Sequence, residues 1–190
     1  MEIILAENHG FCYGVKRAVE MANEAANSDG KSYTLGPIIH NPQVVGRLED
    51  KGVSPVQEVS DIAEGTMIIR SHGVGPAIYE EAEEKGLHVV DATCPHVKKA
   101  QQDAKSVIDD GMTLVILGEK NHPEVKSINL WANNEGIIIE DEESAQKLQV
   151  VEKMGVVVQT TFSQFKFNSI IDILEKKSKN LKVFKTICNA

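Results

Sequence analysis

Short runs of β-branched and aliphatic residues alternate along this chain with longer stretches whose apolar positions recur at helical spacing. That is the pattern of parallel sheets assembled from strand–helix–strand units. The runs predict strands over 2–6, 32–35, 66–70, 88–91, 113–117, 136–140, 156–159 and 182–185. Between them, helices are expected over 14–27, 42–51, 76–85, 95–110, 123–131, 144–149 and 164–179. Pro42, Pro76, Pro95 and Pro123 sit where a first helical residue would be, and Gly52, Gly86 and Gly111 follow helix ends.

An internal repeat underlies the alternation. Cys12 and Cys94 stand 82 positions apart, Leu35-Gly36 recurs 82 on as Leu117-Gly118, and His40 recurs 82 on as His122, with Pro42 and Pro123 close behind. The run Ile68-Ile69-Arg70-Ser71-His72 has a slightly more shifted counterpart in Val157-Val158-Gln159-Thr160-Thr161. Cys188 follows its predicted strand as Cys12 and Cys94 follow theirs. The fold class expected is α/β, two repeated units with small, mainly parallel sheets and a third unit truncated after its first strand. The boundaries expected are 1–13 for an N-terminal strand with the first cysteine, 14–93 and 94–187 for the two units, and 188–190 for the start of the third.

Composition narrows the function. The 190 residues carry a formal charge of −8, from 20 basic and 28 acidic side chains, with no basic run, so nucleic acid is not an expected partner. No apolar run is long enough to span a bilayer and the first residues lack a basic leader, which reads as a soluble cytoplasmic protein away from membranes. Three cysteines are too few and too odd for a disulfide scaffold; in a reducing compartment they are core thiols, catalytic thiols or metal ligands.

Cys12, His40, His72, Cys94, His122, Thr160, Thr161 and Cys188 all fall at the carboxyl ends of predicted strands, where α/β sheets collect ligands. Thiolates placed beside a first helical turn gain about 0.3 to 1 kcal/mol each from the dipole. Any one cysteine alone would read as a buried small hydrophobe; three in one register of a repeat read as ligands. Structural zinc normally shows paired cysteines at short spacing, and none lie so here. Widely spaced thiolates fit a 4Fe-4S cluster with one iron lacking a cysteine. His9 and His88 read as surface or structural residues, and His96 divides between a supporting role and solvent. His72 lies in a glycine-rich turn entering a helix, which is either an anion site or a plain turn. Glu124, in a first helical turn, is a dipole partner or, beside an anionic substrate, a general acid with a raised pKa.

Gly10-Phe11-Cys12-Tyr13-Gly14-Val15, Leu35-Gly36-Pro37-Ile38-Ile39-His40-Asn41-Pro42 and Arg70-Ser71-His72-Gly73-Val74 together resemble a known family. So do Asp91-Ala92-Thr93-Cys94-Pro95, His122-Pro123-Glu124-Val125 and Gln159-Thr160-Thr161-Phe162-Ser163. In this order they are similar to the 4-hydroxy-3-methylbut-2-enyl diphosphate reductases (IspH/LytB), iron–sulfur oxidoreductases of non-mevalonate isoprenoid biosynthesis. The resemblance implies three α/β units around a 4Fe-4S cluster held by Cys12, Cys94 and Cys188. It also implies diphosphate contacts from His40, His72 and His122, proton delivery by Glu124, and placement of the allylic hydroxyl by Thr160 with Thr161 beside it. Electrons would come from a ferredoxin or flavodoxin, since no flavin or nicotinamide motif is visible. The family's third unit, with its serine and asparagine diphosphate contacts, has no counterpart here, so the chain is expected to be a fragment of a reductase with little activity. The rival expectation is a non-catalytic diphosphate-binding or iron–sulfur carrier module.

Overall fold

The computed structural model describes residues 3–4, 10–28 and 30–188. Eight elements form a first unit: α1 (Tyr13–Ala26), β1 (Ser32–Leu35), α2 (Pro42–Glu49), β2 (Val53–Val56), a 3-10 turn (Val59–Asp61), β3 (Thr66–Ile69), α3 (Pro76–Glu84) and β4 (His88–Asp91). Eight more repeat the order: α4 (Pro95–Asp109), β5 (Thr113–Leu117), α5 (Pro123–Trp131), β6 (Ile137–Ile139), α6 (Glu142–Lys147), β7 (Val151–Val158), α7 (Gln164–Leu174) and β8 (Ser178–Phe184). The strands make two all-parallel sheets of equivalent topology, β2-β1-β3-β4 and β6-β5-β7-β8. The α/β class and the duplication expected from the sequence are both present.

Each sheet is buried on both faces, as parallel sheets are, and the period of two in the strands sorts side chains between the two cores. Ile68 packs toward α1 and α2 with Ala18, Ala22 and Leu48, while Met67 and Ile69 pack on the other face with Ile62 and Ala82. In the second sheet Leu114, Ile116 and Val157 meet α4 and α5, and Val115, Leu117, Val156 and Val158 meet α6 and α7. The four prolines singled out in the sequence each open a helix.

The differences from expectation lie at edges and ends. β2 was not anticipated: Pro55 interrupts its run, which is tolerated because β2 is an edge strand. β7 begins at Val151 rather than 156, because its first residues pair only with β8 and expose Glu152 and Lys153. Helix α7 stops at Leu174, not 179, and β8 starts at Ser178 instead of 182; parallel pairing with β7 overrides the helix propensity of the Lys-rich stretch. Helix α6 starts at Glu142 instead of 144, since Asp141 is its cap and Ser144 completes the capping box. The expected strand over 2–6 falls outside the described residues except for Ile3 and Ile4, which are exposed. No described helix is long and apolar enough to cross a membrane.

Gly155 lets α4 press on β7: a Cβ there would come within 2.6 Å of Val107 Cγ1, on a fully buried, χ1-stiff side chain. Gly155→Ala should therefore destabilise the chain by about 1 to 3 kcal/mol. The gain of about 0.4 to 1 kcal/mol from a less flexible unfolded chain is the smaller effect. Urea midpoints would check this, and an unchanged or higher midpoint would contradict it.

Candidate active site

The strand registers align the carboxyl ends within each sheet, Leu35 with Val56 and Ile69, and Leu117 with Ile139 and Val158. In both sheets the chain order reverses between the first and third strands, which is where open α/β sheets leave a crevice. His40 follows β1 and His72 follows β3 across the first switch point, with ring centroids 4.5 Å apart. His122 and Glu124 follow β5, and Thr160 and Thr161 follow β7, across the second. Cys94 and Cys188 follow the corresponding edge strands β4 and β8.

The repeat is exact enough to be read in backbone hydrogen bonds. The Cys94 N–H donates to Ser71 O at 3.0 Å, and the Cys188 N–H donates to Thr160 O at 2.7 Å. Ser71 and Thr160 are thus equivalent positions that tether equivalent cysteines. Cys12 and Cys94 are the residues before α1 and α4, at the positive ends of both helices. All three thiols are free and line one cavity of about 370 Å³, with Ser71, His72, Glu124 and Thr160. Gly14 adds to the fit, because a Cβ there would come 2.6 Å from Cys94 Sγ.

The thiol spacing discriminates between metals. Among the described residues, only the histidine trio has three ligand atoms all within 4.8 Å of one another, so at least one thiol pair stands farther apart. Thiolates on a single zinc at about 2.3 Å each cannot be more than about 4.6 Å apart. A soft, all-thiolate donor set spread around a cavity fits a multinuclear iron–sulfur group better than one ion.

His40, His72 and His122 stand beside this cavity, with the other ring centroids 5.5 and 6.0 Å apart. Their nitrogens are close enough for one metal ion, but His122 argues otherwise. As cap of α5 its Nδ1 accepts the Glu124 N–H at 3.1 Å, so the neutral ring carries its proton on Nε2, as a donor. That favours an anion. Burial, with His40, Arg70 and His122 adding to it, pushes the pKa of His72 down to about 3. Burial lowers that of His122 too, Glu119 opposing and His40 and Arg70 assisting. His72 Nδ1 is buried with no protein partner.

Glu124 is 2% exposed. The Thr160 N–H donates to its Oε1 at 2.6 Å and the Thr160 hydroxyl to its Oε2 at 2.9 Å. Its pKa is raised by burial, which outweighs those two hydrogen bonds. Burial, not a neighbouring anion, is therefore the cause within the chain itself. Thr161 is exposed at the cavity and accepts from Gln159 Nε2 at 3.0 Å. His96 stands at the cavity wall, exposed, while His88 lies on the surface near Thr66; His9 is outside the described residues.

Residues that the sequence reading passed over hold these groups. The Ser127 hydroxyl and Trp131 Nε1 of α5 both donate to the Val74 carbonyl, joining the Glu124 helix to the His72 turn. Gly73 makes that approach possible: its φ is +72°, and a Cβ would sit 3.0 Å from Ser127 Oγ. Arg17 of α1 donates to the Thr93 and Asp91 carbonyls, tying the Cys12 helix to the Cys94 loop. The Ser71–Thr160 correspondence was visible in the repeat and would have found Ser71.

A family model described as LytB protein matches residues 3–190. The chain belongs to the LytB family. Curated relatives called 4-hydroxy-3-methylbut-2-enyl diphosphate reductase include that of Geotalea uraniireducens, 47% identical over 190 residues, and that of Geobacter sulfurreducens, 48% identical over 190 residues. Each match covers 100% of this chain and 67% of the relative, so this LytB chain spans about two thirds of their length. A solved structure of (E)-4-hydroxy-3-methyl-but-2-enyl diphosphate reductase, the terminal enzyme of the non-mevalonate pathway, superposes with a TM-score of 0.88 at 45% identity, covering 98% of this chain and 68% of that one. The Plasmodium falciparum reductase superposes with a TM-score of 0.91 at 30% identity, covering 97% and 60%.

The depressed pKa of His72 has a consequence for stability. Below its ordinary value of 6.5 the unfolded chain takes up a proton there and the folded chain does not, so stability falls as pH falls. With a folded value of about 3, the loss by pH 5 is about 2 kcal/mol. Buried Glu124 acts with the opposite sign, and comparison with His72→Gln at each pH cancels it. Urea midpoints at pH 7 and pH 5 should drop further in the wild type than in His72→Gln; equal drops would contradict the assignment.

Proposed function

We propose that this chain is the catalytic part of a 4-hydroxy-3-methylbut-2-enyl diphosphate reductase. The reaction removes the allylic hydroxyl as water with two electrons and two protons, giving isopentenyl and dimethylallyl diphosphate. The observation that carries the proposal is convergence: three free thiols, His72 and a buried carboxyl line one cavity, with His40 and His122 alongside. The names of the relatives agree with it.

Cys12, Cys94 and Cys188 would hold a 4Fe-4S cluster in that cavity. When bound, it would supply single electrons and a Lewis-acidic iron that no cysteine occupies. An external one-electron donor of the ferredoxin or flavodoxin kind, in a cytoplasm that keeps the thiols reduced, would replenish it.

The protein's own groups do the rest. His40, His72 and His122 bind the diphosphate through their ring N–H groups; the Nε2–H of His122 is the clearest case, since its Nδ1 is already engaged. Burial opposes the charge of Glu124 and raises its pKa, so it holds its proton to higher pH than an exposed glutamate does, and it gives that proton to the departing oxygen. Thr160 orients the carboxyl through both oxygens and leaves its own hydroxyl beside the reacting end. Val15, Val97 and Phe162 give the cavity an apolar wall that limits access of water.

The test uses a chimera that appends the remaining third of the Geobacter sulfurreducens relative, assayed for substrate consumption with a chemical reductant. Glu124→Gln keeps the bond from the Thr160 N–H through its amide oxygen and reverses the other, its amide N–H donating to the Thr160 hydroxyl, but it has no acidic proton. It should lower turnover by about a hundredfold or more while iron content stays unchanged. Undiminished turnover would remove Glu124 from the mechanism.

A further inference from the structure

Resting on the reading of the histidine trio as a diphosphate site, we propose that Arg70 supplies that site's fixed positive charge and so sets which end of the substrate lies over the first sheet. Arg70 follows β3 and directly precedes Ser71-His72. Its guanidinium crosses the switch point to the loop after β1: a Cβ on Gly36, whose φ is +71°, would come 2.7 Å from Nη1. It therefore bridges the two loops that carry His72 and His40.

Its environment is not that of a structural arginine. Nε is buried with no hydrogen-bond partner, and among the described residues no carboxylate pairs with the side chain. A half-buried cation without a counter-charge is costly, and an anionic ligand would offset the cost. Arg70 also lines a second cavity of about 330 Å³ with Lys126, Asn121 and Ser127, and it stands close enough to His72 and His122 for its charge to act on both rings.

The need for such a charge follows from the histidines themselves. Burial holds His72 and His122 below their ordinary pKa, so at neutral pH they donate hydrogen bonds without countering a multiply charged anion. An arginine stays charged at any relevant pH and offers a planar fork suited to phosphate oxygens.

The repeat sharpens the assignment. The residue equivalent to Arg70 in the second unit is Gln159, a neutral amide already satisfied within the protein. Its Oε1 accepts from the Glu119 N–H at 3.0 Å and its Nε2 donates to Thr161 Oγ1 at 3.0 Å. The first switch point thus presents a cation and the second an acid, Glu124. A substrate with a diphosphate at one end and a hydroxyl at the other has one matching orientation, diphosphate over the first sheet and hydroxyl over the second.

The experiment titrates inorganic diphosphate into the wild-type chain, Arg70→Gln and Arg70→Lys, following the histidine rings by NMR. Arg70→Gln should weaken binding about tenfold or more, Arg70→Lys should recover most of it, and His72 should titrate at a higher pH in Arg70→Gln. In the unmodified chain, diphosphate should shield Arg70 from phenylglyoxal while exposed Arg47 reacts as before, a readout independent of how the variants fold. Undiminished diphosphate binding by Arg70→Gln, or an Arg70 that diphosphate does not shield, would overturn the proposal and leave the histidine site standing. A wild-type chain that does not bind diphosphate would overturn both.

Discussion

The contact between Thr160 and Glu124 is the constraint on which the rest of the site depends. One residue donates its backbone N–H and its hydroxyl to the two carboxyl oxygens, and its carbonyl accepts the Cys188 N–H. The carboxyl proposed as proton donor and the third thiol are therefore held by the same residue. Hydrogen bonds to a charged group contribute about 1.5 to 3 kcal/mol each, and burying a carboxylate costs several kcal/mol. The raised pKa of Glu124 says which wins: the carboxyl is well anchored yet still reluctant to ionise. A carboxyl that is fixed in place and holds its proton more tightly than an exposed glutamate suits the proposed role of general acid.

The two units place the same backbone scaffold under different chemistry. Ser71 and Thr160 tether Cys94 and Cys188 in the same way, and the Gly36 and Gly118 N–H groups bond the matching carbonyls of Val56 and Ile139. The side chains then diverge. Asn41 caps α2, which leaves His40 exposed, whereas His122 itself caps α5 and has its tautomer fixed by the Glu124 N–H. One residue fewer between histidine and proline makes that difference. Duplication supplied the geometry of one crevice twice, and substitutions at a few loop positions made one half cationic and the other acidic.

Much of this was legible in the sequence because it was encoded locally or by repetition. Prolines at helix starts and apolar runs with period two located most elements, and the offset of 82 residues linked Cys12 to Cys94 and His40 to His122. What stayed hidden depends on contacts distant in sequence. β2 exists because its proline faces a sheet edge, and β8 displaces the end of a predicted helix because β7 offers it a partner. The clamp of Ser127 and Trp131 on Val74, the bridge from Arg17 to the Cys94 loop and the approach of the Arg70 guanidinium to Gly36 join segments more than thirty residues apart. No local pattern announces them. The sequence leads one to expect a raised pKa for Glu124 beside an anionic substrate, but its cause within the chain is the burial of the carboxyl itself.

The central claim is that Cys12, Cys94 and Cys188 act together as ligands of one iron–sulfur cluster. Anaerobic reconstitution with iron and sulfide, followed by iron counting and Mössbauer spectroscopy, tests it most directly. The account predicts about four irons per chain, one of them spectroscopically distinct, with uptake lost in Cys94→Ser. A chain that stays colourless, or that binds a single metal ion through its thiols, would contradict it.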